Sequence, residues 1–266
     1  MTTLFTTLLA AHLAFGSTRE LERSLPVDAT VTGALAASWL LTEFALKGTI
    51  APKACRWCAT NAFDDWGRGL RATGQGVLVA ETFSNVFGYA GVPLLSFGAL
   101  ALVAGIDGAF ENMGWDLLIS AEATMIAVML NQLTKFLVAR PRPYMSHPSA
   151  DTASFVGKND DFLSFFSGHA TLSFALVASV ATVARLRGYS KAYLAWLIPL
   201  PFAMATAMLR VAADKHYLTD VLVGAAVGSL VGFGSTWLFH NHEAQEDGIS
   251  LQFSPMPNGL MLSGRF

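Results

Sequence analysis

The sequence predicts an all-α fold, a six-helix transmembrane bundle, and three observations predict it. Hydrophobic residues fill 53% of the 266 positions and charged residues only 14%, whereas soluble domains carry about 25% charged residues. Six apolar stretches approach the roughly 20 residues that a helix needs to cross a bilayer core. The polar chain between them is too short to coat six buried helices in water. Residues 1–266 read as a single membrane-embedded domain without an internal repeat.

Residues 1–28 form a leading segment. Its apolar start, Met1 to Gly16, lacks the basic beginning of a signal peptide and reads as an uncleaved, partly amphipathic helix. The first apolar stretch runs from about Ala29 to Ile50. The polar block Ala51 to Val86 follows, with Trp57, Trp66, Arg68 and Arg71, and ends in an amphipathic piece suited to an in-plane interfacial helix. Within it Cys55 and Cys58 form a lone C-x-x-C. Zinc would need two further ligands that the segment lacks, and a disulfide and free thiols both stay open.

The remaining stretches run from about Phe87 to Gly105, Asp116 to Ala139, Ala170 to Leu186, Tyr193 to Leu209 and Leu218 to Phe239. The last carries Gly224, Gly228 and Gly232 at four-residue spacing, which lets a neighbouring backbone approach closely in lipid. Residues 240–266 form a polar tail. There Ile249 to Phe253 and Leu260 to Phe266 flank a Pro-Met-Pro-Asn-Gly turn and predict a short β-hairpin. His240 and His242 read as structural histidines at a helix C-terminus.

Net charge is −2 and no long basic run is present, so nucleic acid is excluded as a partner. The polar residues that stand out cluster at predicted helix ends. Lys135, Arg140 and Arg142 close the third helix, Ser167-Gly168-His169 opens the fourth, Arg210 closes the fifth, and His216 to Asp220 opens the sixth. Counting crossings puts all of them on one membrane face. Three cations sharing a site repel one another unless an anion joins them, and phosphate matches the forks of Arg and the point charge of Lys. The helix start at Ser167 adds backbone N–H donors.

His216 and Asp220, four apart, fall on one face if both are helical, so the carboxylate can hold one ring nitrogen and leave the other as nucleophile. His169 remains as a general acid. Singly, each of these residues also reads as a snorkelling cation, a cap or a core histidine. Arg140, Asp214 and Lys215 read as rim or solvated residues. Glu43, with Lys47 one turn on, and Glu122 read as structural.

Lys135-x6-Arg142-Pro143, Phe166-Ser167-Gly168-His169 and Leu209-Arg210-x5-His216-x3-Asp220 resemble the three-part signature of the type 2 phosphatidic acid phosphatase family. The chain departs where the family has Pro, at Phe166, and Ser, at Leu209. The resemblance implies a phosphatase acting on a lipid phosphate monoester or diphosphate through a phosphohistidine on His216, and no metal or other cofactor is expected, because Lys135, Arg142 and Arg210 supply the charge stabilisation that a divalent metal otherwise provides. It implies catalysis by His216, His169 and Asp220, with the phosphate bound by Lys135, Arg142, Ser167, Gly168 and Arg210.

The resemblance further implies an integral membrane protein, in a bacterial inner membrane with the site facing the periplasm. The basic residues around the bundle give a split vote on that orientation. The rival readings are a vanadate-dependent haloperoxidase and a non-catalytic lipid-phosphate binding or transport protein. Which lipid is taken, and the oligomeric state, are not legible.

Overall fold

The structure, a computed structural model, describes residues 18–241, 250–256 and 259–265. Six helices are long and apolar enough to cross a membrane, and the protein is an integral membrane protein. They are α1 (Leu25–Ile50), α2 (Gln75–Ile106), α3 (Met113–Val138), α4 (Gly168–Leu186), α5 (Leu194–Ala212) and α6 (Leu218–His240). Expectations about Met1 to Gly16 and about His242 lie outside the described residues.

Helix α4 is the hub, packed against α3, α5 and α6. The glycine stripe of α6 faces it. A methyl group at Gly224 would lie 2.7 Å from the Ser167 carbonyl oxygen and one at Gly228 2.5 Å from that of Thr171, while one at Gly232 would strike the carbonyl of Ala175. Only glycine lets the two backbones meet so closely, which holds the start of α6 against the start of α4. At the opposite end of the bundle Arg187 is fully buried, 2.7 Å from Asp116, whose carboxylate also accepts from Tyr189.

Two sequence readings need correction. The piece preceding Phe87 is not an in-plane interfacial helix: Gln75–Val86 continues through a π-helical turn, Phe87–Gly91, into Val92–Ile106 as one span. Its amphipathicity is real, but Glu81 and Asn85 on its polar face line an internal cavity instead of the membrane surface. The extramembrane block is therefore shorter, from Ala51 to about Gly74, and contains the helix Ala62–Gly67. Arg140, Asp214 and Lys215 are not rim residues, since all three are buried.

Cys55 and Cys58 are joined by a disulfide. The loop they close lies against the end of α3: Arg56 donates to the carbonyls of Phe136 and Leu137, and Trp57 packs edge-on against Phe165. In the tail, Ser250–Met256 pairs antiparallel with Gly259–Arg265, with Met256 opposite Gly259. His240 donates from Nδ1 to the carbonyl of Glu22 at 2.8 Å and lies 3.6 Å from Glu122, which gives both residues structural partners.

Candidate active site

Four helix ends meet on one face, as the crossing count predicts. Helix α3 stops where Ala139 adopts a left-handed conformation, φ 48°, with its N–H on the Lys135 carbonyl. Arg140 and Arg142 each precede a proline and cannot continue a helix easily. Arg142 reaches sideways into the site, and Arg140 lies behind it on Asp220 and Asp64. Ser167 caps α4, its hydroxyl facing the N–H of Ala170. Helix α6 begins at Leu218, with Tyr217 as its cap and Asp220 at the third position accepting from the Tyr217 N–H at 3.0 Å.

Between these ends lies a cavity of about 370 Å³. Lys135, Arg142, Gly168, His169, Arg210 and His216 line it, with Asn85, Tyr89, Asn131 and Gln132. Six of the eight residues singled out by sequence therefore share one space. Ser167 and Asp220 do not line it. Ser167 is buried as the cap of α4, and its N–H is tied to the Asp220 carbonyl at 2.9 Å.

His216 lies in the turn before α6, so the helical i, i+4 geometry expected for His216 and Asp220 does not apply. Its Nδ1 is 2.8 Å from the Ser164 carbonyl oxygen and 3.7 Å from Oδ2 of Asp220. A carbonyl only accepts, so Nδ1 carries the hydrogen and Nε2 keeps its lone pair. That Nε2 is 3.5 Å from a guanidinium nitrogen of Arg142. Burial, followed by the Arg142, Arg210 and Lys135 cations, pushes the His216 pKa well below its usual 6.5, so the ring is neutral at pH 7.

Behind His216 stands a buried ionic chain. Asp220 accepts from the Ser164 hydroxyl at 2.5 Å and from Arg140 at 2.6 Å, and Arg140 spends its other terminal nitrogen on Asp64, also at 2.6 Å. The Arg140 guanidinium is sandwiched between the Trp57 and Tyr217 rings, 4.4 and 4.2 Å from their centroids. Burial raises the Asp64 pKa, but hydrogen bonds from Arg140 and Thr219 outweigh it and bring it below the usual carboxylate value.

The cations are placed one by one. A methyl group at Gly168 would lie 3.0 Å from Nζ of Lys135 and 3.0 Å from Oδ1 of Asn131, so glycine is what lets the ammonium reach the start of α4. Asn131 in turn donates to the Phe166 carbonyl at 2.7 Å. Arg142 donates to the carbonyls of Asp160 and Lys215, and Arg210 to Ser84 and Asn85. His169 bonds Asn85 Oδ1 at 2.9 Å and stacks near Tyr89. Lys215 pairs with Glu81 at 2.7 Å, and burial lowers its pKa to about 8.

Residues 116–244 match the family model of the PAP2 superfamily. The chain carries a PAP2 domain there. As a PAP2 protein with six apolar spans it is a membrane phosphatase, in the class of phosphoric monoester hydrolases. Among solved structures it is similar to a transmembrane PAP2-type phosphatidylglycerolphosphate phosphatase from Bacillus subtilis. Identity is 20% and the TM-score 0.45, over 77% of this chain and 93% of that one.

Sequence reasoning missed Asp64, Asn85, Asn131 and Gln132. The last two left a signal, two amides within one turn of Lys135 in an apolar helix, where a polar group needs a partner.

Proposed function

We propose that this PAP2 protein hydrolyses a lipid phosphate through a phosphohistidine formed on His216. The observation that carries the reading is the neutral His216 ring, its Nδ1–H tied to Ser164 and its Nε2 lone pair beside Arg142 in a cavity that also holds Lys135, Arg210 and His169. Nε2 attacks phosphorus in line. The bond from phosphorus to the ester oxygen breaks, and His169 gives that oxygen a proton. Water, deprotonated by His169, then attacks the phosphohistidine and releases inorganic phosphate, returning His216 to its starting state.

Lys135, Arg142 and Arg210, with the N–H group at Gly168, stabilise the charge spread over the equatorial oxygens, while the Ser167 N–H is spent on the Asp220 carbonyl and holds the start of α4 in place. These cations do the work that a divalent metal does in other phosphatases, so the reaction needs no metal. Asp220 is a positioning residue: it acts on His216 through Ser164, whose hydroxyl it accepts from, and across 3.7 Å to Nδ1, while Arg140 holds Asp220 itself.

The site faces away from the cytoplasm, toward the periplasm of a bacterial inner membrane. The Cys55–Cys58 disulfide beside the site supports this side, because disulfides persist in oxidising compartments.

The test is phosphate release from phosphatidic acid, phosphatidylglycerol phosphate, a polyprenyl diphosphate and lipid A by purified protein in detergent with EDTA. Release from at least one substrate, lost in His216→Ala, is expected. No release from any of them, or release that requires added Mg²⁺, would overturn the reading.

A further inference from the structure

The cavity carries a second polar set that the three-part signature does not include. Glu43 and Lys47 come from α1, Gln132 from α3, and Asp160 from the loop before α4, and all four line the cavity. Lys47 Nζ is 2.5 Å from Oε1 of Glu43 and 2.5 Å from Oδ1 of Asp160. Gln132 donates to Oε2 of Glu43 at 3.2 Å. The Asp160 carboxylate is 3.7 Å from Arg142, so this shelf adjoins a phosphate-binding guanidinium. Burial raises the Asp160 pKa, but Arg142 and Lys47 outweigh it and hold the carboxyl below the usual range, so it is charged.

Local structure aims these side chains inward. Helix α1 is otherwise open to lipid, with Leu40, Leu41, Phe44, Leu46 and Ile50 exposed. Residues Leu41–Leu46 form a π-helical turn, and the wider turn re-registers the side chains that follow it. Such turns concentrate at functional sites. An i, i+4 pair would suffice to let Glu43 and Lys47 coexist in a membrane. It does not require Gln132 and Asp160 to join them at the edge of a phosphate site.

Charge sets the class of ligand. The cavity lining holds five cations, Lys47, Lys135, Arg142, Arg210 and Lys215, against three carboxylates, Glu43, Glu81 and Asp160. The lysines, arginines and carboxylates leave an excess of two positive charges, which one phosphate monoester, at about −1.5 to −2, just balances, and the proton on His169 is the one that the leaving alkoxide takes. The additional phosphate of a diphosphate would lie against Glu43 and Asp160. Carboxylates are acceptors only. They reward a hydroxyl donor on the alcohol and gain nothing from acyl ester carbonyls.

We propose that Glu43, Lys47 and Asp160 form a subsite that reads the alcohol bearing the phosphate, favouring monoesters of a polyol with a free hydroxyl and disfavouring diphosphates. This rests on the phosphatase reading above.

The experiment measures kcat and KM for phosphatidylglycerol phosphate, phosphatidic acid with the same acyl chains, a polyprenyl diphosphate and p-nitrophenyl phosphate. It compares wild type with Glu43→Gln and Asp160→Asn in one detergent. A hydrogen bond to a charged group is worth about 1.5 to 3 kcal/mol, so wild type should prefer the hydroxylated monoester over phosphatidic acid by roughly 10-fold or more. Both variants should lose most of that preference through KM, and the diphosphate should gain relative to the monoesters. An unchanged ranking in both variants, a wild type that prefers the diphosphate, or parallel losses on all four substrates would overturn the subsite. A wild type that hydrolyses none of them would overturn the phosphatase reading instead.

Discussion

The Nδ1 of His216 lies 2.8 Å from the carbonyl oxygen of Ser164. That one contact fixes the tautomer of the ring, and it shifts the task of Asp220 from holding the histidine to holding the residue that holds it. Asp220 is fixed in turn by Arg140 and, through Arg140, by Asp64 on the disulfide-bearing side of the site.

Arg140→Ala should be among the most damaging substitutions outside the cavity. It leaves the buried carboxylates of Asp64 and Asp220 without their cation, a loss that typically costs about 3–5 kcal/mol. Thermal unfolding in detergent should show a clearly lowered melting temperature for Arg140→Ala and a smaller drop for Arg140→Lys. A melting temperature equal to wild type would mean that the ionic chain contributes nothing to the fold.

The neutral state of His216 is directly observable. Its pKa is pushed below 6.5 by burial and by Arg142, Arg210 and Lys135. A lowered pKa keeps the ring neutral above the folded-state value, so protonation is confined to more acidic pH. Nitrogen NMR of histidine-labelled protein in detergent should report His216 as the Nδ1–H tautomer at pH 7 and still neutral at pH 6.5. A midpoint at or above 6.5 would remove the electrostatic basis for a histidine nucleophile.

The two histidines should fail differently. Removing a general acid typically costs about 10² to 10⁴ in rate. His169→Ala should lose that much on an alkyl phosphate such as phosphatidic acid, whose alkoxide leaves badly without a proton. The loss on p-nitrophenyl phosphate should be far smaller, because the phenolate needs little help. His216→Ala should lose turnover on both substrates. Equal losses on both for His169→Ala would reverse the assignment.

The side of the membrane is also testable. A cysteine introduced between Arg187 and Lys191, at the end of the bundle opposite the site, should resist an impermeant thiol reagent in intact cells. Its ready labelling would place the site in the cytoplasm.

The six spans and the convergence of helix ends were legible because both depend on counting residues along the chain. Lys135, Arg142, Gly168, His169, Arg210 and His216 were legible because their spacing carries a recognisable pattern, and they do meet in one cavity. The depth of Arg140, Asp214 and Lys215 was not, since loop folding sets it: Asp214, with φ 57°, turns inward onto Arg68, and Arg140 meets a carboxylate 76 positions away. Asp220 does stand 3.7 Å from Nδ1 of His216, but the nearer partner, the Ser164 carbonyl, was not legible because the spacing presumed a helix that starts two residues later, at Leu218. Glu43 and Lys47 were paired correctly with each other. Their place in the cavity depends on a π turn and a distant loop, which periodicity does not reveal.

The central claim is that phosphorus becomes bonded to His216. Single-turnover mixing with a lipid phosphate labelled on phosphorus, quenched in alkali where phosphohistidine survives, should leave label on the wild-type protein. The label should map to the peptide containing His216, accumulate in His169→Ala if dephosphorylation is slowed, and be absent from His216→Ala. Rapid phosphate release with no labelled protein at any time point, or label on another residue, would contradict the account.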